Sequence, residues 1–450
     1  MSKIGVVSLG CAKNLVDTEI VLGYLTTAGH EIVSDPELAE VIIVNTCGFI
    51  NDAKEESINA ILQMASMKEQ GVCQSLIVMG CLSQRYRDEL WEEIPEIDGL
   101  VGTNELDLIA QIIEQVSEGR RVQRHRDKSF DYNHVHTRLF TTGTHFAYLK
   151  VAEGCNHRCA FCVIPLIRGK FRSRTPEVIL SEARALVEKG VREIAVIAQD
   201  TTAYGRDLGT NLVELLKELA QLEPSDPSKQ KPWIRLLYTY PTSINEELLD
   251  LIHDTPNLVK YVDLPLQHVS GRVLRRMKRP GDYNSTTKLI ETIRDKIPGV
   301  VIRSSFIVGF PGETEEDFQE LLDFLQTTRL NHVGIFKYSQ EENSTAYDLD
   351  AQVPENIKER RYQEAMSLQQ QISYELNQQL VGQELEVLLE FSSEESDLVL
   401  IGRHQGQAPD VDGVVYVGRG DLQLGQVVKV RITEAHPYDL VGEVVDYESA

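Results

Sequence analysis

The chain has 450 residues, 42% of them apolar, and a formal charge of −24. That length allows about three domains of ~150 residues, each with a sizeable core. The acidic balance excludes a protein that simply coats nucleic acid, because phosphate binding needs clustered Lys and Arg. It fits a soluble protein that meets basic partners, or one whose basic surface is local.

The first nine residues run straight into an apolar, strand-like segment. They lack the charged head, long apolar stretch and small-residue cleavage site of a signal peptide, so none is expected. The apolar runs, such as 41–44, are far shorter than the ~20 residues that span a bilayer. We therefore expect a cytoplasmic protein with no membrane partner. Thiols stay reduced there, and clustered cysteines point to metal or catalysis rather than disulfides. The seven are Cys11, Cys47, Cys73, Cys81, Cys155, Cys159 and Cys162, and an odd count suits a disulfide framework poorly.

Residues 4–9, 41–45 and 76–79 read as buried strands, and helical periodicity follows each, over 14–28, 52–70 and 83–93. Such alternation implies a doubly wound parallel sheet with helices on its faces. Residues 119–143 are polar and basic without a period and read as a linker. Strands are then expected at 146–151, 193–198, 234–238, 261–264, 301–308 and 332–338. Helices fill the gaps, among them 285–296, 315–326 and one opened by Thr175-Pro176 and closed by Gly190. Six βα units suggest an open, partial (βα)6 barrel rather than a closed eightfold one. A polar helix covers 356–380. The tail, 382–447, shows short strands at 384–391, 397–403, 413–417 and 427–434 between Gly-rich turns, a small β-barrel pattern. The fold class is multidomain α/β. The expected division is 1–118, linker 119–143, 144–377 and 378–447.

Cys155-Asn-His-Arg-Cys159-Ala-Phe-Cys162 is a CxxxCxxC. Three thiolates on one loop can ligate three irons of a cubane cluster and leave the fourth open to the amino and carboxylate groups of S-adenosylmethionine. The bland alternative is a zinc knuckle or three buried thiols. Context favours the cluster, since the loop follows the first barrel strand, where such folds place their chemistry. Phe161 puts an apolar ring beside it. Gln199, Gln267 and the Gly309-Phe-Pro-Gly312-Glu313 loop also fall at strand ends and are candidate cofactor contacts. That last loop is either a turn before a helix or a row of backbone amides set against a cofactor.

Cys11, Cys47 and Cys81 end the first three strands, each beside a glycine (Gly10, Gly48, Gly80). In an open parallel sheet, loops at the carboxyl ends line one crevice, so these distant cysteines converge as three further metal ligands. Cys73 precedes its strand and reads as packing. His157 reads as structural and His332 as a strand residue. Arg168, Lys170, Arg172 and Arg174 stay open between a solvated run and substrate contact. Arg275, Arg276, Lys278 and Arg279 read as a solvated helix face.

These residues resemble the methylthiotransferases of the radical S-adenosylmethionine superfamily, over nearly the whole chain. GCAKNLVDTE, NTCGFI and MGCLSQRY look like the N-terminal cluster-binding domain; CNHRCAFCVIP and RGKFRSR look like the radical core. The tail is similar to the TRAM barrel appended to these enzymes. Ala12 departs from the Pro expected after the first cysteine, leaving the ligand set untouched. LYTYPTSI, LPLQHVSGRVLRRMKR, RSSFIVGFPGETEEDF and DGVVYV resemble most the members that act on small-subunit ribosomal protein S-twelve. The resemblance implies methylthiolation of an aspartate β-carbon in that protein, free or in the small subunit. It also implies two [4Fe-4S] clusters, S-adenosylmethionine as methyl donor and radical source, and an electron donor of flavodoxin or ferredoxin type.

Two other readings stand beside it: a tRNA adenosine methylthiotransferase, and an iron–sulfur electron-transfer protein. Residues 378–450 hold four Lys/Arg against fourteen Asp/Glu, a net −10. An RNA-gripping barrel should be basic, whereas an acidic one suits a basic ribosomal protein. Residues 119–128 and 168–174 keep RNA contact open.

Overall fold

The computed structural model describes residues 1–135, 137–143, 145–226, 230–394, 396 and 398–445. Asp397, the expected start of the second tail strand, lies outside the described residues. So do 144, 446 and 447 at the expected domain limits, and 136 within the expected linker. The chain forms two compact units. One comprises Met1–Thr141, Ala152–Thr175 and Ser339–Tyr347; the other comprises Thr142–Val151, Pro176–Tyr338 and Asp348–Ala450.

Among the described residues, the first unit is built on a six-stranded parallel sheet. Its elements are β1 (Lys3–Ser8), α1 (Ala12–Thr27), β2 (Glu31–Val33), β3 (Val41–Thr46), α2 (Asn51–Glu69), β4 (Ser75–Gly80), α3 (Cys81–Arg85), α4 (Arg87–Glu93), β5 (Gly99–Val101), α5 (Ile109–Ser117) and β6 (Val122–Arg124). The order is β2-β1-β3-β4-β5-β6. β3 and β4 are buried along their whole length, which is why they read as unbroken apolar runs. β2, β5 and β6 span three residues each, too short for a period to register in sequence. The expected helix over 83–93 breaks at Tyr86, whose backbone leaves helical dihedrals.

The linker expected over 119–143 is not one. Val122–Arg124 adds a strand to the sheet, Tyr132 is buried, and Arg138 pairs with the buried carboxylate of Glu19. Contacts of this sequence separation leave no local pattern to read.

After β7 (Phe146–Lys150), a strand of the second unit, the chain returns to the first for β8 (Ala152–Glu153), α6 (Ile164–Arg168) and β9 (Arg172–Ser173). β8 and β9 pair antiparallel and close a loop that holds Cys155, Cys159 and Cys162.

The second unit continues with α7 (Pro176–Glu188), β10 (Glu193–Ile197), α8 (Leu212–Ala220), β11 (Trp233–Leu236), α9 (Glu246–Asp254), β12 (Tyr261–Asp263), α10 (Gly271–Arg276), α11 (Tyr283–Lys296), β13 (Val301–Val308), α12 (Glu315–Thr328), β14 (His332–Lys337) and α13 (Glu355–Gln378). β7-β10-β11 and β12-β13-β14 are parallel sheets, joined by a bridge between Ile234 and Leu258. Together they make the expected six-stranded partial barrel. Side-chain caps start its helices: Asn211, Asn245, and capping boxes at Asp282 and Thr314, each stabilising by about 1 kcal/mol.

The tail strands β15 (Glu384–Ser392), β16 (Val399–His404), β17 (Val415–Gly418), β18 (Val427–Ala435) and β19 (Leu440–Val444) close into a small barrel. Its 404–412 loop reaches the starts of the parallel strands. Arg403 bonds Glu193 at 2.6 Å and Glu390 at 2.5 Å, Glu193 also pairs with Arg235, and Arg235 donates to the Gln405 carbonyl. Tyr148 and Tyr261 donate to Asp410 and Asp412 at 2.7 and 2.6 Å. Among the described residues, no helix is long and apolar enough to cross a membrane.

Candidate metal centre

Cys11 is the N-cap of α1, Cys47 follows β3, and Cys81 opens α3 directly after β4. β1 and β3 lie side by side where the winding of the sheet reverses, the position at which such sheets leave a crevice beyond their carboxyl ends. Gly10 makes the approach of the loops feasible. Its φ is +90°, and a Cβ there would stand 2.8 Å from Cys47 Cβ and 3.2 Å from its sulfur. A Cβ on Gly48 would meet Leu82 Cα at 2.8 Å and the Cys81 carbonyl carbon at 2.9 Å. The first loop thus abuts the second, and the second the third.

Side chains fix this contact. Asn14 donates to the Leu9 carbonyl at 2.7 Å and the Thr46 carbonyl at 3.3 Å, tying the ends of β1 and β3. Thr46 donates to Met79, tying β3 to β4, and Ser57 brackets the Cys47 backbone. The thiols feel one another. Burial, then the neighbouring Cys81 and Cys11, push the Cys47 thiol up to about 12. Burial raises Cys81, against the pull of Arg168. At Cys11 the crowding protein would raise the thiol, but Lys13, Arg168 and the nearby amides outweigh it and leave it below its ordinary value.

The second cysteine set sits on the loop closed by β8 and β9. Cys155 N–H bonds the Gly169 carbonyl, Cys162 N–H bonds the Cys159 carbonyl, and His157 offers its backbone N–H to the Cys155 sulfur at 3.4 Å. Cys155, Cys159, Cys162 and Phe161 are all half-buried. The two sets meet through apolar packing, for Cys81 clusters with Phe49, Val163 and Ile167, and Val163 directly follows Cys162.

Arg168 is a residue that sequence reasoning left open between a solvated run and substrate contact. It is buried, not solvated, and reaches Asp17 at 2.5 Å, Glu153 at 3.1 Å, Asn14 at 3.1 Å and the Cys81 sulfur at 3.2 Å. Arg174 is buried too. The one available signal was the apolar helix VIPLI that Arg168 closes. The segment Ser339–Tyr347, unnoticed in sequence, holds both cysteine loops. Ala346 N–H bonds the Ala160 carbonyl, and buried Glu341 pairs with Lys54 and with Arg85, which donates to the Gly48 carbonyl.

In the second unit, Gln199 and Gln267 are half-buried beyond β10 and β12. Gln267 holds a left-handed backbone, φ +74°, uncommon for a side chain that is not glycine. The 309–313 loop differs from the row of free amides expected. Gly309 N–H is taken by the Glu313 carboxylate, Gly312 N–H by Ala351 and Glu313 N–H by Phe310. The Glu313 carboxylate also meets His268 and Arg361. Gly312 gives room to Arg276. These three amides are thus spent within the protein, two on the loop itself and one on Ala351.

Among the described residues, no group of His, Cys, Asp or Glu forms a site for a single metal ion. A four-iron cubane is gripped at separate corners, so its thiolates stand farther apart than the ligands of one ion. Three converging thiols, of which burial keeps Cys47 and Cys81 from ionising alone, fit a polycationic cluster, which takes the place of their protons.

Residues 3–102 match the Uncharacterized protein family UPF0004, 149–325 the Radical SAM superfamily, and 381–445 the TRAM domain. The chain is 48% identical over 446 residues to the ribosomal protein uS12 methylthiotransferase RimO of Geotalea uraniireducens (strain Rf4), covering 98% of each chain. It is 48% identical to the protein of that name from Desulforamulus reducens (strain ATCC BAA-1160 / DSM 100696 / MI-1), covering 99% of this chain and 100% of that one. A likeness of fold alone links it to the radical S-adenosylmethionine methyltransferase TsrM of Kitasatospora setae, with TM-score 0.54 and 15% identity over 74% of this chain and 72% of that one. Fold and matches define a radical S-adenosylmethionine methylthiotransferase with a TRAM barrel. Its superfamily uses a [4Fe-4S] cluster and S-adenosylmethionine. The chain belongs to the RimO family.

Proposed function

We propose that this chain methylthiolates the β-carbon of an aspartate in ribosomal protein uS12, free or in the small subunit. It does so with two [4Fe-4S] clusters, one on Cys11, Cys47 and Cys81 and one on Cys155, Cys159 and Cys162. The observation that carries this reading is the packing of Cys81 against Val163, the neighbour of Cys162. Two cysteine sets that meet suit a reaction in which a radical made at one site is quenched by sulfur held at the other.

When bound, the clusters and S-adenosylmethionine supply the methyl group, the sulfur and the radical that removes a substrate hydrogen. The chain's own residues orient and shield. The β8–β9 ladder and Ala346 hold the Cys155 loop, and Asn14, Ser57 and the Glu341–Arg85 pair hold the other three cysteines. Phe161 screens the Cys155 site. Gln199 and Gln267 are the proposed S-adenosylmethionine contacts, while Gly309, Gly312 and Glu313 act by fixing the end of β13. A flavodoxin- or ferredoxin-type protein delivers the electrons.

Charge supports a protein substrate. Glu384, Glu386, Asp421, Glu434 and Glu443 are exposed on the tail barrel. Several of the basic residues that kept RNA in view are engaged within the protein, while Arg124, Lys128 and Lys170 stay exposed. Arg120 pairs with Glu118, Arg126 with Asp107, Arg121 lies 3.8 Å over the Trp91 ring, and Arg168 is buried.

Mass spectrometry of uS12 and nucleoside analysis of tRNA after reaction with reconstituted enzyme test the reading. A methylthio group on a uS12 aspartate is expected. Methylthioadenosine in tRNA with unmodified uS12 sinks it, and neither product from a fully loaded enzyme returns the chain to electron transfer.

A further inference from the structure

We propose that Arg168 sets the reduction potential of the cluster on Cys11, Cys47 and Cys81 by donating a hydrogen bond to the Cys81 sulfur. This rests on the reading of Cys81 as a cluster ligand. Arg168 touches no substrate atom in this account and is a positioning residue.

The geometry is specific. Arg168 Nη1 serves Asp17 and Glu153, and Nη2 serves Asn14 Oδ1 and Cys81 Sγ. The planar fork is held in place from the other side, because Tyr132 donates to the second oxygen of Asp17 at 2.8 Å and Gly154 N–H bonds the second oxygen of Glu153. A guanidinium locked in this way offers a fixed N–H to sulfur; a lysine, a point charge on a flexible stem, cannot reproduce the fork.

Stability alone does not account for such a group. Buried ion networks contribute little over well-packed apolar residues of the same volume, because desolvation offsets their attraction. The carboxylates of Asp17 and Glu153 offset the guanidinium charge, and the sulfur feels both what remains of that charge and the hydrogen bond. A donor to a ligating sulfur draws electron density from it and favours the more negative, reduced cluster, raising the potential. Arg168 also lies on the segment that carries the second cysteine set, six residues beyond Cys162. The loop that binds one cluster thereby adjusts the other.

The test uses full-length protein in which Cys155, Cys159 and Cys162 are changed to Ala, leaving one cluster to observe. Iron and sulfide are counted, Mössbauer spectra recorded, and the potential measured by titration followed by electron paramagnetic resonance. Arg168→Lys, which keeps a cation against Asp17 and Glu153, is expected to lower the potential by the equivalent of a tenfold change in the reduced-to-oxidised ratio, ~59 mV for one electron. Asp17→Asn leaves the Cys81 bond and removes one balancing anion, so it is expected to move the potential upward. Shifts of opposite sign are a signature that a merely structural role does not produce. Unchanged potentials with intact clusters overturn the proposal. So does loss of the cluster in Arg168→Lys with circular dichroism unchanged, which assigns Arg168 to retention instead. A parent variant that binds no cluster at all refutes the reading of Cys11, Cys47 and Cys81 themselves, a result separable by iron count before any potential is measured.

Discussion

Arg168 and Cys81 are 87 residues apart in the chain and 3.2 Å apart in space. One ends the short helix after the CxxxCxxC loop, and the other begins the helix after β4. The contact makes the two cysteine sets parts of one construction, and the first expectation concerns what each set holds.

Full-length protein should bind about eight irons as two four-iron clusters. Changing Cys11, Cys47 and Cys81 to Ala should leave about four, with S-adenosylmethionine cleavage retained and methylthio transfer lost. Changing Cys155, Cys159 and Cys162 should also leave about four but abolish cleavage. Iron analysis with chromatography of 5′-deoxyadenosine separates the two. Cleavage that survives the second set of changes moves the radical site elsewhere.

Cys73→Ala should keep the full iron content. Cys73 precedes β4, at the opposite end of that strand from Cys81, and packs among Ala39, Ile42, Met64 and Leu76. The substitution removes one buried sulfur and should cost about 1 kcal/mol, seen as a small fall in Tm. A selective loss of four irons contradicts this placement.

What the sequence made legible follows physical range. The strands β3 and β4 are apolar on both faces, so they stand out, and the cysteines after them inherit a defined place. In the second unit β7, β10 and β11 are likewise buried along their whole length, while β13 was readable by its alternation. β2, β5 and β6 were not, because three residues carry no period. Arg168 was hidden by its neighbours: among Lys170 and Arg172, nothing local distinguishes a buried guanidinium from a solvated one. The loop at 309–313 stayed between two readings because a turn whose donors are taken has the same sequence as one that offers them.

The tail barrel should be indispensable to the stability of its unit. Arg403→Met leaves Glu390 without its cation and Glu193 with only Arg235, and should cost about 3–5 kcal/mol. A chain ending near residue 380 strips the partners of Tyr148, Tyr261 and Arg235 as well and should fail to yield soluble protein. A wild-type Tm in Arg403→Met counts against this.

Stability should fall as pH drops below about 6.5, partly through His404. Its enclosed position, then His332 and Arg235, push the imidazole down to about 3, and Arg403 adds to this against the pull of Asp412. Neutral Nδ1 accepts the Gly406 N–H at 3.0 Å. Between an unfolded value near 6.5 and a folded value near 3, the unfolded chain takes a proton that the folded one refuses. The loss is about 1.4 kcal/mol per pH unit, and above 6.5 the contribution is fully present. His404→Gln should flatten the fall in Tm between pH 7 and 5.5; an unaltered slope rules His404 out as its source.

Substrate capture should depend on the exposed acids of the tail rather than on its presence alone. Glu386→Gln, Asp421→Gln and Glu434→Gln together should slow association with uS12 by several-fold at low salt and converge with wild type at high salt. Surface plasmon resonance at two ionic strengths checks it. Equal association rates at both would remove the electrostatic account.

The first unit is discontinuous: Ala152–Thr175 and Ser339–Tyr347 fold with Met1–Thr141, although the stretch matching the Radical SAM superfamily begins at residue 149. Exchange of parts between relatives must respect that. A hybrid spliced at residue 141 would pair one parent's Asp17, Cys81 and Arg85 with another's Arg168 and Glu341. Only a three-piece graft carries each ion pair over with its own partner, so recombination within this family should be tolerated at the edges of these segments and penalised inside them.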